Sequence, residues 1–310
     1  MQLLMKNISI GIFHDENLGR ELGKKGTESD ILMANRKTDD YIFTFMSPNE
    51  DKLTAKTQII STIDAAIISC DNITPELGET ILMLDSLGVD KGLFLVPEYS
   101  DTTQINNIIK DTNLEGYKIV EKNIPKVLEL LETFDVKRNN DGPSVVQIDH
   151  SFSVKGVGEV ALGVVRQGII HKHDKSVLLP NNKEIVIRSI QIHDKDYDQA
   201  EAGSRVGLAI KGATSDEMNR GTIISDTDTG KIGTDFTLDF VKNKYYPDFK
   251  TGVFHATVGM QSLPITITEI KDNKISFKTD KPVCYTKNDK FILIDLNGKK
   301  IHFIGTALIE

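Results

Sequence analysis

A chain of 310 residues, 39% apolar and 26% charged, has room for two or three domains with buried cores and the composition of an ordinary soluble protein. No apolar run approaches the roughly 20 residues of a membrane-spanning helix, and Met1–Lys6 run straight into a strand pattern without a signal-peptide layout, so no membrane role and a cytoplasmic location are expected. The net charge of −8 is uneven: residues 1–145 hold 15 basic against 24 acidic side chains and residues 146–310 hold 22 against 21, which steers any polyanionic partner to the second half.

Up to about residue 135, strand-like runs alternate with helix-like ones. The strands are Asn7–Phe13, Tyr41–Phe45, Ala65–Ser69, Gly92–Val96 and Lys118–Val120. Between them, Pro75–Leu87 repeats apolar residues at three- and four-residue intervals behind Thr74, an N-cap residue followed by a helix-starting proline. That alternation predicts βαβ units and a mostly parallel sheet. Lys137–Pro143 is polar and turn-rich and reads as a linker. Beyond it come only short strand candidates at about 8–12-residue spacing: Gly158–Val165, Gly168–Ile170, Ser176–Leu179, Ile185–Ile192, Arg205–Ile210 and Gly221–Ile224, a pattern that suggests an antiparallel barrel. The turn cluster Ser225–Gly230 precedes a third region, also all-β, that ends in Lys290–Ile294 and Lys300–Ile304. The expected fold is an α/β domain over residues 1–138, a β-barrel over 143–228 and a second β-barrel over 232–310.

Few residues announce chemistry of their own. Cys70 and Cys284 fall in different domains, which predicts two reduced, packed thiols. His171 and His173 form an H-x-H that places both imidazoles on one strand face, a two-ligand metal start without an evident third ligand; hydrogen-bonded hairpin histidines are the simpler reading. Asp194, Asp196, Asp198 and Glu201 read as a solvated acidic loop, since the glycine and glutamate spacing of a calcium loop is missing. No metal site is expected.

Two stretches carry a family resemblance. Phe152–Gly168 reads F-S-V-K-G-V-G-E-V-A-L-G-V-V-R-Q-G, and Glu201–Gly212 followed by Asn219–Ile223 supplies A-G-x-x-V-G-x-x-x-x-G and R-G segments in order and spacing. Both resemble domain 2 of the translational GTPase family that includes elongation factors Tu and 1-alpha and the selenocysteine-specific factor SelB. Ile187–His193 looks more like SelB than elongation factor Tu, and Pro282–Val283 through Ile304–Ala307 is similar to the closing strands of domain 3. Within the family the likeness is greatest to the SelB-like branch of methanogenic archaea called EF-Pyl. The resemblance implies a degenerate P-loop-type G domain followed by two barrels.

Laid on the family's phosphate-loop motif, Gly11–Gly23 keeps Gly11 and Gly19 but puts His14 at the first loop glycine, Arg20 at the lysine and Glu21 at the magnesium-binding Ser/Thr. His14 would crowd backbone N–H groups that must converge on phosphate. A carboxylate at Glu21, about 4 Å from a phosphate oxygen, is repelled by roughly 4 kcal/mol at an effective dielectric near 20, about three decades of affinity. In switch II the magnesium-linked aspartate becomes Met46 and the water-positioning residue Glu50, around a retained Pro48; Val96–Asp101 lacks the guanine-reading N-K-x-D; and the span from Glu21 to Tyr41 is too short for the usual switch I excursion. The resemblance therefore implies a translation factor without catalytic residues, with GTP and magnesium as cofactors only if the divergent loop still held them. Its expected partners are aminoacyl-tRNA, the ribosome or translation factors. The alternatives are a divergent GTPase that delivers a special tRNA and a protein-binding scaffold that regulates translation. In the family, the strand matched by Arg188, Gln191 and His193 borders the pocket for the aminoacylated 3′ end of tRNA, where polar and aromatic groups suit a base, a ribose and an aminoacyl ester. Asp194 stands where elongation factor Tu has an arginine, which implies a different acyl preference.

Overall fold

The computed structural model describes residues 5–226 and 229–309. Met1–Leu4, Thr227, Asp228 and Glu310 lie outside the described residues, and with them part of the amino-terminal reading and of the second turn cluster.

The first domain contains strands β1 Lys6–Phe13, β2 Lys24–Glu28, β3 Ile31–Lys37, β4 Tyr41–Pro48, β5 Ala65–Ser69, β6 Gly92–Val96 and β7 Lys118–Glu121. Its helices are α1 Leu18–Leu22, α2 Leu53–Ile60, α3 Pro75–Leu87, α4 Thr103–Ile109 and α5 Ile124–Leu131. The sheet order is β2-β3-β4-β1-β5-β6-β7, parallel from β4 through β7. Both faces of the central strands are covered, which is why β5 and β6 read as unbroken apolar runs with every residue buried. Helix α3 begins where expected: the Thr74 hydroxyl accepts a hydrogen bond from Leu77 N at 3.2 Å, and Pro75 opens the first turn. It ends at Gly88, whose φ of 75° lets the N–H groups of Gly88 and Val89 fold back to Asp85 O and Leu84 O.

The span from Glu21 to Tyr41, too short for the family's switch I excursion, holds the antiparallel pair β2–β3, which the sequence pattern did not predict and which extends the sheet beyond β4. Ile31, Met33 and Ala34 bury against the sheet, and that tertiary gain overrides a segment rich in Lys, Gly and Asn.

The second domain comprises β8 Val145–Val154, β9 Gly158–Gln167, β10 Ile169–His171, β11 Lys175–Leu179, β12 Lys183–Ile192, β13 Lys195–Tyr197, β14 Gln199–Glu201, β15 Arg205–Lys211 and β16 Ile223–Ser225. Six of them close a barrel in the order β11-β16-β8-β9-β15-β12, sealed by the β11–β12 pairing, while β10 pairs with β14. Strand β8 is not among the strands expected from the sequence, and the H-x-H pattern of His171 and His173 predicts one shared strand face. In fact His171 ends β10 and His173 sits in the following turn at φ 75°, so the two imidazoles do not share a strand face. The third domain is a closed barrel, β17 Lys231–Lys242, β18 Gly252–Val258, β19 Gln261–Lys271, β20 Lys274–Tyr285, β21 Lys290–Ile294 and β22 Phe303–Leu308, in the order β17-β20-β19-β18-β21-β22.

The three units pack as one body. A single apolar cluster runs from Leu84 and Phe94 of the first domain to Met260, Ile292, Ile294 and Phe303 of the last. Arg138, in the segment read as a linker, donates to both carboxylate oxygens of Asp64 at 2.5 and 2.8 Å and to Asn7 O. That segment is fastened to the first domain.

Candidate functional site

The carboxyl ends of β1, β4 and β5 meet where the strand order reverses, the crevice in which open α/β sheets hold ligands. The loop that would cradle an anion there is closed on its own side chains. Asp15 Oδ1 accepts from Asn17 N and Leu18 N, both at 3.1 Å, and Asp15 Oδ2 takes a 2.9 Å bond from Lys122 Nζ. Lys122 also reaches Glu21 Oε1 at 2.9 Å, so one ammonium bridges two carboxylates and leaves a net negative charge, and those contacts raise its pKa despite partial burial. His14 adopts φ 66°, unusual for a residue with a β-carbon, and its Nε2 lies 3.0 Å from Thr80 Oγ1. Because the Thr80 hydroxyl donates to Glu76 O at 2.9 Å, His14 Nε2 is the donor in this pair. Burial and the nearby Lys56 lower the His14 pKa and so favour the neutral ring, while Asp51 and Glu76 act in the opposite direction.

The remaining loop positions are committed elsewhere. Gly11 is interior to β1, where a β-carbon would meet Ile63 and Phe13 at under 3 Å. Gly19 is buried in α1. Arg20 turns toward β2 and pairs with Glu28 at 2.7 Å, so its charge does not point into the crevice. Met46 is 2% exposed in the apolar core, Pro48 closes β4, and Glu50 stands at φ 53° in the short turn that follows. The cavity of about 280 Å³ in this crevice is lined by Asp15, Glu16 and Asp51 with His14, Ile12, Ser47 and Pro48, an anion-repelling set. Tyr99, in the Val96–Asp101 segment that lacks the guanine-reading motif, is 96% exposed.

A second opening has the opposite character. Strands β2, β3 and β4 of the first domain face β12 and β15 of the second across a groove of about 300 Å³. Its first wall is Lys24, Lys25, Gly26, Thr27, Met33, Asn35, Ile42 and Thr44; its second is Leu162, Gln191, His193, Asp194, Arg205, Val206 and Gly207. His193 and Asp194, at φ 49° and 62°, are the two central residues of the β12–β13 hairpin turn, and the Ile192–Lys195 pairing fixes their place. Gln191 Nε2 donates to Asp196 Oδ1 at 3.0 Å across that hairpin. Arg205 is held by a bidentate pair with Asp149, one bond at 3.0 Å; burial opposes its charge, but the carboxylate outweighs burial and raises its pKa.

Three of the four residues read from the β12 segment thus line the groove. Arg188 does not: it occupies the bulge between Ile187 and Ser189, is exposed, and donates to Val157 O at 3.3 Å. The wall from β2 and β3, with Lys24 and Lys25, went unread because those strands were not recognised.

Comparison with known proteins follows this geometry closely. Residues 158–225 match the family described as elongation factor Tu domain 2. The chain is 37% identical over 308 residues to the uncharacterized protein MJ0325 of Methanocaldococcus jannaschii, covering 98% of this chain and 99% of the other. It is 27% identical to the selenocysteine-specific elongation factor of the same organism, covering 96% of this chain and 76% of that one. The SelB elongation factor of Methanococcus maripaludis has the same fold: its complex with the GTP analogue GppNHp superposes with a TM-score of 0.84 at 23% identity, covering 100% of this chain and 80% of that chain. The chain belongs to the EF-Tu/SelB-like family of translation factors.

The SelB-like barrels also gather the positive charge foreseen for the second half. Two loops at one end of the third domain, residues 242–250 and 295–302, are tied together by Tyr246 Oη donating to Asp295 at 2.8 Å and Asn243 Nδ2 donating to Phe303 O at 2.8 Å. They expose Lys242, Lys244, Lys250, Lys299 and Lys300, together with Tyr245, which is 61% exposed and lies beneath Lys244 at 5.0 Å from ring centre to ammonium. Lys242 pairs with the exposed Asp248 at 2.5 Å. In this SelB-like chain, then, the first domain presents an acidic crevice and the last a cationic rim. Among the described residues no cluster of His, Cys, Asp and Glu is arranged to hold a metal ion, and no helix is long and apolar enough to cross a membrane.

Proposed function

We propose that this chain is a noncatalytic SelB-like translation factor of the cytoplasm that binds aminoacyl-tRNA without a GTP cycle. The observation that carries the proposal is the contrast between its two openings. In the phosphate loop the N–H groups of Asn17 and Leu18 are turned onto Asp15, and Lys122, which follows β7, is committed to Asp15 and Glu21. The groove between the first two domains, by contrast, offers Lys24, His193 and Gln191 around a volume of about 300 Å³. Such a groove suits the 3′ end of an aminoacylated RNA, with lysines for phosphate and the His193 imidazole for a base or ribose. The cationic rim of the third domain provides a second place for the RNA backbone. Kinship with the EF-Pyl branch is part of this reading, with Asp194 at the turn as the position that alters acyl preference.

The test is binding to a total tRNA pool, aminoacylated against deacylated, without nucleotide and over a salt series. Preference for the charged pool, with log Kd rising steeply with log salt, is the expected result. Absence of binding at low salt refutes the proposal and leaves a protein-binding scaffold. Saturable, magnesium-dependent GTP binding refutes the noncatalytic part and favours a divergent GTPase.

A further inference from the structure

We infer that the groove between the first domain and the first barrel is permanently assembled, so that its affinity for ligand does not respond to guanine nucleotide. The inference concerns the regulation of the groove and rests on reading it as an RNA-end site.

The groove's first wall is pinned to the second domain at the β2–β3 turn. Arg220 Nη1 donates to Asp30 Oδ1 at 2.6 Å, and Nη2 donates to Ser29 Oγ at 2.9 Å. On the far side, helices α2 and α3 are joined to the third domain by buried bonds. Thr57 and Thr257 share a hydroxyl pair at 2.8 Å, and Gln58 Nε2 donates to Met260 O at 2.7 Å. Glu79 on α3 accepts from His302 N at 2.5 Å and from Phe303 N at 2.6 Å. The two barrels interlock as well: Arg166 Nη2 in β9 donates to Asp289 Oδ1 of the third domain at 2.8 Å, and Gly221 of the second domain leaves room for the Gln261 side chain of β19.

A ligand moves a conformational equilibrium only by binding one arrangement better than another. Separation of the first and third domains would strip partners from the Glu79 carboxylate, the Gln58 amide and two backbone N–H groups at once, and would expose the apolar cluster shared by Phe94 and Phe303. In the phosphate loop the N–H groups of Asn17 and Leu18, which a nucleotide would have to recruit, already bond Asp15. The domain frame and the groove wall therefore hold one arrangement.

The test places spin labels at Lys110→Cys, Lys172→Cys and Lys271→Cys, exposed sites one to each domain, taken in pairs; the native Cys70 and Cys284 are buried. Distances by double electron–electron resonance are compared without nucleotide, with GDP and with a GTP analogue, each with magnesium. One narrow distribution per pair, unchanged by nucleotide, is expected, with affinity for the charged tRNA pool altered by less than about twofold, whereas coupled sites typically show about 5- to 150-fold. A nucleotide-dependent distance population, or an affinity change above about fivefold, overturns the inference. Unchanged distances with no tRNA binding leave the permanent assembly standing and refute the RNA-end reading instead. In an Arg220→Ala variant the 110–172 distribution is expected to broaden; an unchanged width overturns the role of Arg220 as the pin.

Discussion

Removing the Glu79 carboxylate is the sharpest probe of how the first and third domains hold together. Glu79 is 9% exposed, and its Oε1 accepts two backbone N–H bonds from the segment entering β22, while Oε2 lies 3.3 Å from His302 Nδ1. Glu79→Ala leaves those N–H groups without an acceptor. A hydrogen bond to a charged group is worth about 1.5–3 kcal/mol, so two of them amount to about 3–6 kcal/mol, and water admitted to the half-exposed His302 side returns part of it. A net loss of about 3 kcal/mol is expected. Glu79→Gln keeps one acceptor oxygen without the charge and should lose about half as much. The readout has two parts: urea unfolding followed by circular dichroism, and hydrogen exchange of the peptide spanning 300–305. The alanine variant should lower the midpoint and speed exchange of the Phe303 amide by at least about tenfold, the factor that corresponds to about 1.4 kcal/mol. If stability changes by less than about 0.5 kcal/mol and the amide exchanges no faster, the carboxylate is not what joins the two domains.

Three further outcomes follow from the same geometry. Asp149→Ala strands the buried Arg205 cation and should destabilise by about 3–5 kcal/mol in urea unfolding, whereas replacing both residues with apolar ones of similar volume should cost far less. Lys24→Ala should reduce the salt slope of charged-tRNA binding by about 0.7–0.9, and His193→Ala should weaken binding by about 1–3 kcal/mol if the ring stacks a base, both read by filter binding. The lowered pKa of His14 means that the unfolded chain takes up a proton more readily than the folded one. Its contribution is complete above the unfolded value near 6.5 and is lost as pH falls from there toward the folded pKa, so urea midpoints at pH 7.5 and 5.5 should differ less in His14→Asn than in the parent. His255, also lowered by burial, contributes with the same sign, so some slope remains.

The central parallel strands and α3 were legible because their signals are local: unbroken apolar runs in β5 and β6, and a Thr-Pro start and a Gly stop around α3. The β2–β3 pair was not, since its residues are held by pairing with β4 rather than by their own propensity, and the cationic wall of the groove was missed with it. Loop positions His14, Arg20 and Glu21 could be read as departures from a motif, but their partners Thr80, Glu28 and Lys122 are set by tertiary packing over separations of up to 101 residues. Arg188 was expected at the groove because its segment resembles the family strand that borders the 3′-end pocket, and a bulge of one residue sets it apart.

The fastening of residues 137–144 bears on how two copies of this chain behave when crowded. Exchange of a barrel between neighbours requires a hinge that can straighten. Here Arg138 is clamped to Asp64 on one side, and Ser144 N is bonded to Asp226 Oδ2 at 2.7 Å on the other, so the five residues between them have no slack to give. A chain built in this way folds its barrels back on itself, and swapped dimers are disfavoured from the moment both clasps close.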